Sequence, residues 1–553
     1  MMNPPGHPAP SHPFRPAVAL ALATWMAVHP VLAQAPASSV DAELVRQLLG
    51  RIEQLEKREA ARAKEEAGAE TRRLQQRVAE LESKLQAIEQ GGKVLPEIAV
   101  TPADGPTPAE LQRKIQSMEE REASQAAAAK AAAAKNPVLS VGAGGIQFRS
   151  ADTNFTLALK GLLQTDGHAY FSDNPLTRGN DTLGIRRARL YLRGTLYRDI
   201  SYEIIPQWGG INDLGSSLQD AFVAYRVGEH LEIKAGKFKG PVGLGLLQSI
   251  AAGDFAERSM ASGLVPLRNV GVQVGTTWLD GAVEAAAGVF NNAGDGRNPG
   301  AFDFTDGKEF AGRVFVHPFK PLELKWLKGL GFGVGGSHAQ VSSNALGLPA
   351  AIGEPLPGFY TSPGTQQFFA YNPLVGPVVA DGKHWRLSPQ GYWHAGPFGL
   401  MGEYVWSSQD VYNSTTFRAA NLTHRAWQVT GGWFLTGEDA SFGAIQPRRP
   451  FTLRSPGWGA WQVVGRYSQL DIDDATFPSF ANPDFSATDA TAWSVGLNWW
   501  LNRNLRVLAS FTHTTFNGGG APPSIANPGS LVAPATVSAQ DENLFSARVQ
   551  LSF

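Results

Sequence analysis

The chain has 553 residues, 43 % of them hydrophobic, with 48 Lys plus Arg against 49 Asp plus Glu. Such an even balance argues against a nucleic-acid partner, which asks for a basic excess, and outside the extreme N-terminus no apolar run reaches the ~18 residues of a transmembrane helix. Cysteine is absent, which excludes thiolate metal sites, cysteine nucleophiles and disulfide frameworks, and suits a chain that crosses an oxidising compartment.

Residues 1–33 read as a signal peptide. Arg15 precedes the largely apolar stretch Ala17–Val28, and Val31-Leu32-Ala33 places small or apolar residues where a signal peptidase reads. The stretch is too short to span a bilayer as a helix but suits a secretory signal. Residues 41–90 then turn rich in Glu, Arg, Ala, Leu and Gln, with no proline. Val45, Leu48, Ile52 and Leu55 form one a/d seam, and Leu74, Val78, Leu81, Leu85 and Ile88 a second in another register. A seam repeating every 3.5 residues needs a partner strand, so the segment predicts an α-helical coiled coil rather than one helix of a monomeric bundle. Residues 91–137 read as a linker followed by a helical Ala/Lys spacer, from Pro108 to Lys135, that ends in two Ala-Ala-Ala-Ala-Lys repeats.

From residue 138 to 553 the hydrophobic period becomes two. Phe155, Leu157, Leu159 and Leu163 alternate with Thr156, Lys160, Gln164 and Asp166; Ala188, Leu190 and Leu192 alternate with Arg187, Arg189, Tyr191 and Arg193; Phe545 to Phe553 repeat the pattern at the end. Alternation puts each set on one face of a strand. A soluble sandwich shares that signature, so other features decide. The runs are about ten residues long, as a tilted membrane strand needs. Trp499-Trp500, Tyr392-Trp393, Trp458 with Trp461, and Trp427 with Trp433 mark strand ends, and short connections alternate with long polar ones, as in outer-membrane barrels. The expectation is an all-β transmembrane barrel of about 16 antiparallel strands preceded by the coiled coil. Strands begin near residues 155, 185, 200, 219, 231, 270, 282, 310, 331, 384, 398, 425, 459, 491, 505 and 542, and Gln366–Tyr371 is either a further strand or part of a loop.

Seven segments in order carry a family resemblance: Ile185–Gly194 (IRRARLYLRG), Ala235–Gly245 (AGKFKGPVGLG), Phe255–Ser259 (FAERS), Arg268–Val274 (RNVGVQV), Phe434–Glu438 (FLTGE), Gly459–Leu470 (GAWQVVGRYSQL) and Gly496–Arg506 (GLNWWLNRNLR). Together they resemble the phosphate-selective porin O and P family of Gram-negative bacteria, as does the N-terminal coiled-coil extension. The resemblance implies a homotrimer of sixteen-stranded barrels in the outer membrane, in contact with its lipid. Each barrel would be a water-filled pore for small anions such as phosphate or pyrophosphate, with the segment after the third hairpin folded inward as a constriction. The coiled coil would lie in the periplasm, where cell-wall components are a possible partner and a tether an alternative role.

Arg187, Arg189 and Arg193 lie opposite Ala188, Leu190 and Leu192, so an outward apolar face would line the lumen with three guanidinium groups. Each is permanently charged and grips phosphate oxygens bidentately, which suits a ladder for anions; pairing with lumenal carboxylates is the plainer alternative. Arg186 has the opposite parity and is expected at an interface or bulge. Lys237 and Lys239 flank Phe238, and Arg258 follows in the proposed constriction, whose residues include Pro241, Gly243, Leu244, Leu246, Gln248 and Ser249. The segment departs from the family's pattern. Val242 stands where an aromatic is usual, Gly245 for an acid, Leu246 for a lysine and Gln248-Ser249 for a serine pair, which puts tight phosphate binding in doubt. A broad or different solute preference is therefore the rival reading.

Enzyme motifs are lacking. Gly331–Gly336 matches G-x-G-x-x-G but precedes no helix, and His168, His230, His384 and His394 show no metal-ligand spacing. No catalytic residue, metal or cofactor is expected.

Overall fold

The computed structural model describes residues 136–553 except 172–180, 211–216, 299–306, 323, 342–358, 372–377, 455–456 and 520–540. Upstream, Arg113, Gln116, Ser117, Glu120 and Ser124 are described as helical positions. They fall in the segment read as a helical spacer. The signal peptide and the coiled coil over 41–90 lie outside the described residues.

A small hairpin, β1 (Val138–Gly142) with β2 (Gly145–Arg149), comes first. Strands of five residues fall below the length that the alternation singles out. Nine barrel strands follow: β3 (Thr156–Tyr170), β4 (Thr182–Leu196), β5 (Ile200–Trp208), β6 (Ser217–Val227), β7 (Leu231–Phe238), β8 (Asn269–Trp278), β9 (Val283–Phe290), β10 (Glu309–Val316) and β11 (Gly329–Val341). A loop hairpin, β12 (Phe359–Thr361) with β13 (Gln367–Ala370), stands apart from the barrel sheet, so the segment near Gln366 is part of a loop. The barrel resumes with β14 (Val378–Ala395), β15 (Phe398–Asn413), β16 (Arg418–Phe434), β17 (Ala460–Asp471), β18 (Asp489–Trp500), β19 (Leu505–Asn517) and β20 (Glu542–Ser552).

These sixteen antiparallel strands close into a ring. Each pairs with the next, and β20 closes on β3 from Leu544↔Tyr170 to Ser552↔Leu162. The lower part of the same edge of β3 is taken by β2, through Ile146↔Leu159 to Arg149↔Thr156. The observed starts follow the expected ones closely except at β14 and β16, which begin six and seven residues earlier. There the pattern is hidden. β14 carries a bulge between Ala380 and His384, and Val378, Val411 and Leu422 turn inward onto Phe480 in an apolar cluster.

Burial is inverted relative to a soluble protein. On β18, Ser494 and Asn498 face inward and are buried, while Trp493, Val495 and Leu497 are 39–50 % exposed. Polar groups inside and apolar groups outside are what a barrel in lipid requires. Aromatics form a girdle at the short-turn end: Trp461 stacks on Trp499, Phe398 on Trp433, and Trp326 meets Trp393 edge-on. Three of the expected girdle residues lie elsewhere. Trp500 and Tyr392 point inward, Trp427 sits in mid-strand, and the alternation alone does not say which of two adjacent aromatics meets lipid.

Loops and turns mostly alternate long and short, but the turn over 317–328 is longer than the loop over 209–216, and two further connections depart from the pattern. The connection over 414–417 is short, and the turn over 435–459 (T6) is long. Loop L3 (residues 239–268) runs inside the barrel. Its apolar side, with Val242, Leu246, Met260 and Leu264, packs with Tyr360, Phe368 and Phe369 of the loop hairpin and with Val405, Ala426 and Leu470 of the wall. The Gly331–Gly336 run is explained by this packing. It lies on β11, where a Cβ at Gly335 would collide with the carbonyl oxygen of Val242, and one at Gly331 with Phe315 and His317. The glycines form a lane for L3 and aromatic side chains, not a nucleotide loop.

Candidate anion pathway

Arg187, Arg189 and Arg193 all face the lumen, because Ala188, Leu190 and Leu192 take the other parity and pair with outward positions of β3 and β5. Arg186 is the extra residue of a β-bulge: the register passes from Gln164↔Arg187 to Thr165↔Ile185. A bulge turns a side chain away from its alternation, and Arg186 thereby joins Arg187 inside.

Both then meet one carboxylate. Arg186 Nε donates to Glu257 Oε1 at 2.7 Å, Arg187 Nη2 donates to Oε2 at 3.1 Å, and Arg548 Nη2 lies 3.4 Å from Oε1 while also gripping Asp166 at 2.6 Å. Burial alone would push the Glu257 carboxyl up, yet these three guanidinium groups hold it well below the usual range. Further arginines act on the L3 backbone. Arg466 Nη1 donates to the Glu257 carbonyl at 2.8 Å, and Arg506 Nη1 to the Gly253 carbonyl at 2.8 Å. Arg466 covers the Phe255 ring at 4.5 Å, and Arg506 the Trp500 ring at 4.2 Å. This set fastens the second half of L3 to the wall.

The first half contains a single helical turn, α1 (Leu244–Leu247), held at both ends. Glu403 of β15 accepts from the Gly245 amide at 3.1 and 3.2 Å, and Gln390 of β14 donates to the Val242 carbonyl at 2.7 Å. Lys239 Nζ donates to the Gln248 carbonyl at 3.0 Å, and Arg258 to the carbonyls of Gly245 at 3.0 Å and Gln248 at 3.2 Å. Cations at the carbonyl end and a carboxylate at the amide end complement the turn's dipole. Glu403 also accounts for Gly245, where a Cβ would sit 2.6 Å from Oε1.

Pro241, Gly243, Leu244 and Leu246 are buried, and Leu246 packs in the apolar cluster. Gln248 is half-buried and donates to the Phe442 carbonyl of T6 at 3.4 Å; Ser249 is exposed. Lys237 leaves the lumenal set. It pairs with Ala221 and Val270, on the face opposite Asp220 and Phe238. Arg193 pairs with Glu203 and keeps a side chain 44 % exposed; Arg189 donates to neutral Gln207 at 2.6 Å.

Around the root of L3 the charge is positive. Arg268 pairs with Asp220 at 3.1 Å. Burial, then Arg258 and Arg268, hold the Lys239 ammonium well below its ordinary value, and Asp220 only partly offsets them. Arg258 is lowered to about 10 by burial, with Arg268 and Arg189 next. Four cations thus gather near Asp220, with Glu257 and Glu403 also acting on Arg258.

A model of the phosphate-selective porin O and P family matches residues 158–553. The chain belongs to that family. Porin O of Pseudomonas aeruginosa is 25 % identical over 394 residues, covering 66 % of this chain and 85 % of that protein. Similar solved structures include an anion-selective porin from Comamonas acidovorans (12 % identity, TM-score 0.40, 72 % of this chain and 100 % of that one). The outer membrane channel DcaP of Acinetobacter baumannii is another (10 % identity, TM-score 0.43, 73 % and 99 %). As a member of its family, the porin is an outer-membrane channel protein rather than an enzyme, and among its described residues no acidic, His or Cys cluster is arranged to hold a metal.

Several of the porin's anchoring residues were not singled out from the sequence: Glu257, Glu403, Arg466, Arg506 and Arg548. The signal was present, since Glu257 stands in FAERS, Arg466 in GAWQVVGRYSQL and Arg506 in GLNWWLNRNLR. Those motifs gather around the fastening of L3.

Proposed function

We propose that this porin passes small hydrophilic solutes by diffusion, prefers anions among them, and has no tight phosphate site. The observation that carries the reading is the double use of the constriction cations. Lys239 and Arg258 give the L3 root its positive field, yet their donors end on the loop's own carbonyls. A tight phosphate site needs donors free to converge on the oxygens of the anion. Leu246 supplies none, being buried among apolar side chains. Arg189, with a neutral partner, and Arg193, opposite Glu203, are lumenal cations that a passing anion meets. Phosphate is then one permeant among several. A homotrimer with its helical extension in the periplasm completes this reading.

The test is the reversal potential of purified protein in a planar bilayer under a KCl gradient, followed by phosphate titration. Anion preference with no block at low phosphate is expected. Block at micromolar phosphate would overturn the absence of a tight site, and cation preference would overturn the anion reading itself.

A further inference from the structure

The two arcs of the short-turn rim differ in charge. Around β10 to β19, the connections over 317–328, 396–397, 435–459 and 501–504 hold seven Lys and Arg against three Asp and Glu. Around β3 to β9, the connections over 150–155, 197–199, 228–230 and 279–282 hold one Arg against four Asp and Glu. In the basic arc, exposed apolar groups stand beside cations. In the turn over 317–328, Trp326 is 62 % and Leu324 46 % exposed next to exposed Lys325 and Lys328.

T6 is built the same way, and its course is unusual. Its first part enters the barrel mouth, where Phe442 stacks on Tyr392. Its second part returns over the outside: the Phe451 ring meets Trp499 edge-on, and Trp499 Nε1 donates to the Trp458 carbonyl at 2.9 Å. Leu453 and Trp458, 96 % and 73 % exposed, stand there beside Arg449 and Arg454. Among the described residues Lys325, Lys328, Arg449 and Arg454 have no acidic partner; Arg448 pairs with Asp439.

We propose that this arc binds the headgroups of anionic phospholipids in the inner leaflet of the outer membrane. The argument is placement plus charge. Tryptophans on the outer wall mark the depth of the interface, so cations immediately beyond them lie at headgroup phosphates, and Trp326, Leu453 and Trp458 reach the acyl boundary. Lys and Arg near an anionic surface each contribute an attraction of about 1 kcal/mol that falls off within a Debye length. The acidic arc over β3 to β9 also exposes apolar groups, Tyr197 at 66 % and Leu279 at 68 %, but they stand beside Asp199 and Asp280, and Arg198 is the one cation of its turns. The bound lipids would then fix the barrel's depth on one side only.

The experiment uses the full-length protein in detergent, with phosphatidylglycerol or phosphatidylcholine of matched chains added and bound lipids counted by native mass spectrometry. Preferential retention of phosphatidylglycerol, weakening as salt is raised, is expected. The combined variant Lys325→Gln, Lys328→Gln, Arg449→Gln and Arg454→Gln should lose at least about tenfold of that preference, and Arg198→Gln on the other arc none. Replacing Lys325 and Lys328 with Arg, and Arg449 and Arg454 with Lys, should keep it and so controls for misfolding. Equal retention of the two lipids, or an unchanged preference in the combined Gln variant, overturns the proposal. So does binding to purified cell-wall sacculi that the Gln variant loses without any lipid preference, which would make the arc a cell-wall contact.

Discussion

On β17, β19 and β20 the lumenal arginines, Arg466, Arg506 and Arg548, are each less than a tenth exposed and end on L3. On β4, Arg189 ends on a neutral glutamine and Arg193 keeps a side chain 44 % exposed opposite Glu203. The same side chain is structural on one flank and, in the proposed reading, open to solutes on the other. Arg187 belongs to the first group although it lies two residues from Arg189, because the bulge at Arg186 brings both neighbours to Glu257. What separates the groups is whether L3 covers them. A guanidinium is suited to either task, since its planar donors satisfy backbone carbonyls as readily as phosphate oxygens.

Removing the common anchor should break that contrast most. Glu257→Gln strips Arg186 and Arg187 of their carboxylate while Arg548 keeps Asp166, and breaking a buried pair of this kind costs about 3–5 kcal/mol. A lower unfolding midpoint in denaturant and a higher single-channel conductance are expected as L3 loosens; no change in either would mean that L3 is held elsewhere. Restoring the family's lysine by Leu246→Lys comes next. It buries a charge among apolar side chains, so a loss of about 3 kcal/mol without phosphate block is expected. Micromolar block in a stable variant would show that position 246 does reach the pore.

The open flank is sharpened by a graded pair. Arg189→Gln removes a lumenal charge whose partner is neutral, and a single charge met at about 4 Å in water is worth about 1 kcal/mol. The anion-to-cation permeability ratio should fall up to about fivefold. Arg193→Gln removes the same charge and leaves Glu203 without its partner, so it should move the reversal potential at least as far; a smaller shift would show that Glu203 takes up a proton once Arg193 is gone.

The smallest effect is on pH, and it centres on the Lys239 ammonium at the root of L3. Its charged form is the cation, and burial with Arg258 and Arg268 alongside depresses its pKa. Its positive charge is therefore present at low pH and lost as pH rises through a range below that of an ordinary lysine, with Arg258 following at about 10. Asp254, raised by burial against the pull of Arg506, loses its negative charge early as pH falls. Both favour anions in acid. The reversal potential measured from acid to alkaline pH should drift steadily toward cations, and Lys239→Gln should flatten its alkaline part.

The sequence by itself determined the barrel, the number of its strands, the face on which most side chains lie and the odd parity of Arg186, leaving open whether that meant an interface or a bulge. All of these follow from a period of two, which a single strand already carries. The family resemblance, carried in part by the motifs around Phe238 and Phe255, implied the segment that turns inward. Only the tertiary structure decided what each lumenal cation meets. Glu257 stands 71 residues from Arg186 and 291 from Arg548, and Gly245 stands 158 from Glu403. No local pattern encodes such pairings. Lys237 and Lys239 show the same divide within one segment: Lys239 is recruited by L3 carbonyls, and Lys237 is turned to the outer face by register with β6 and β8. Charge at a position is a property of the residue, whereas its availability to a passing solute depends on which loop folds over it.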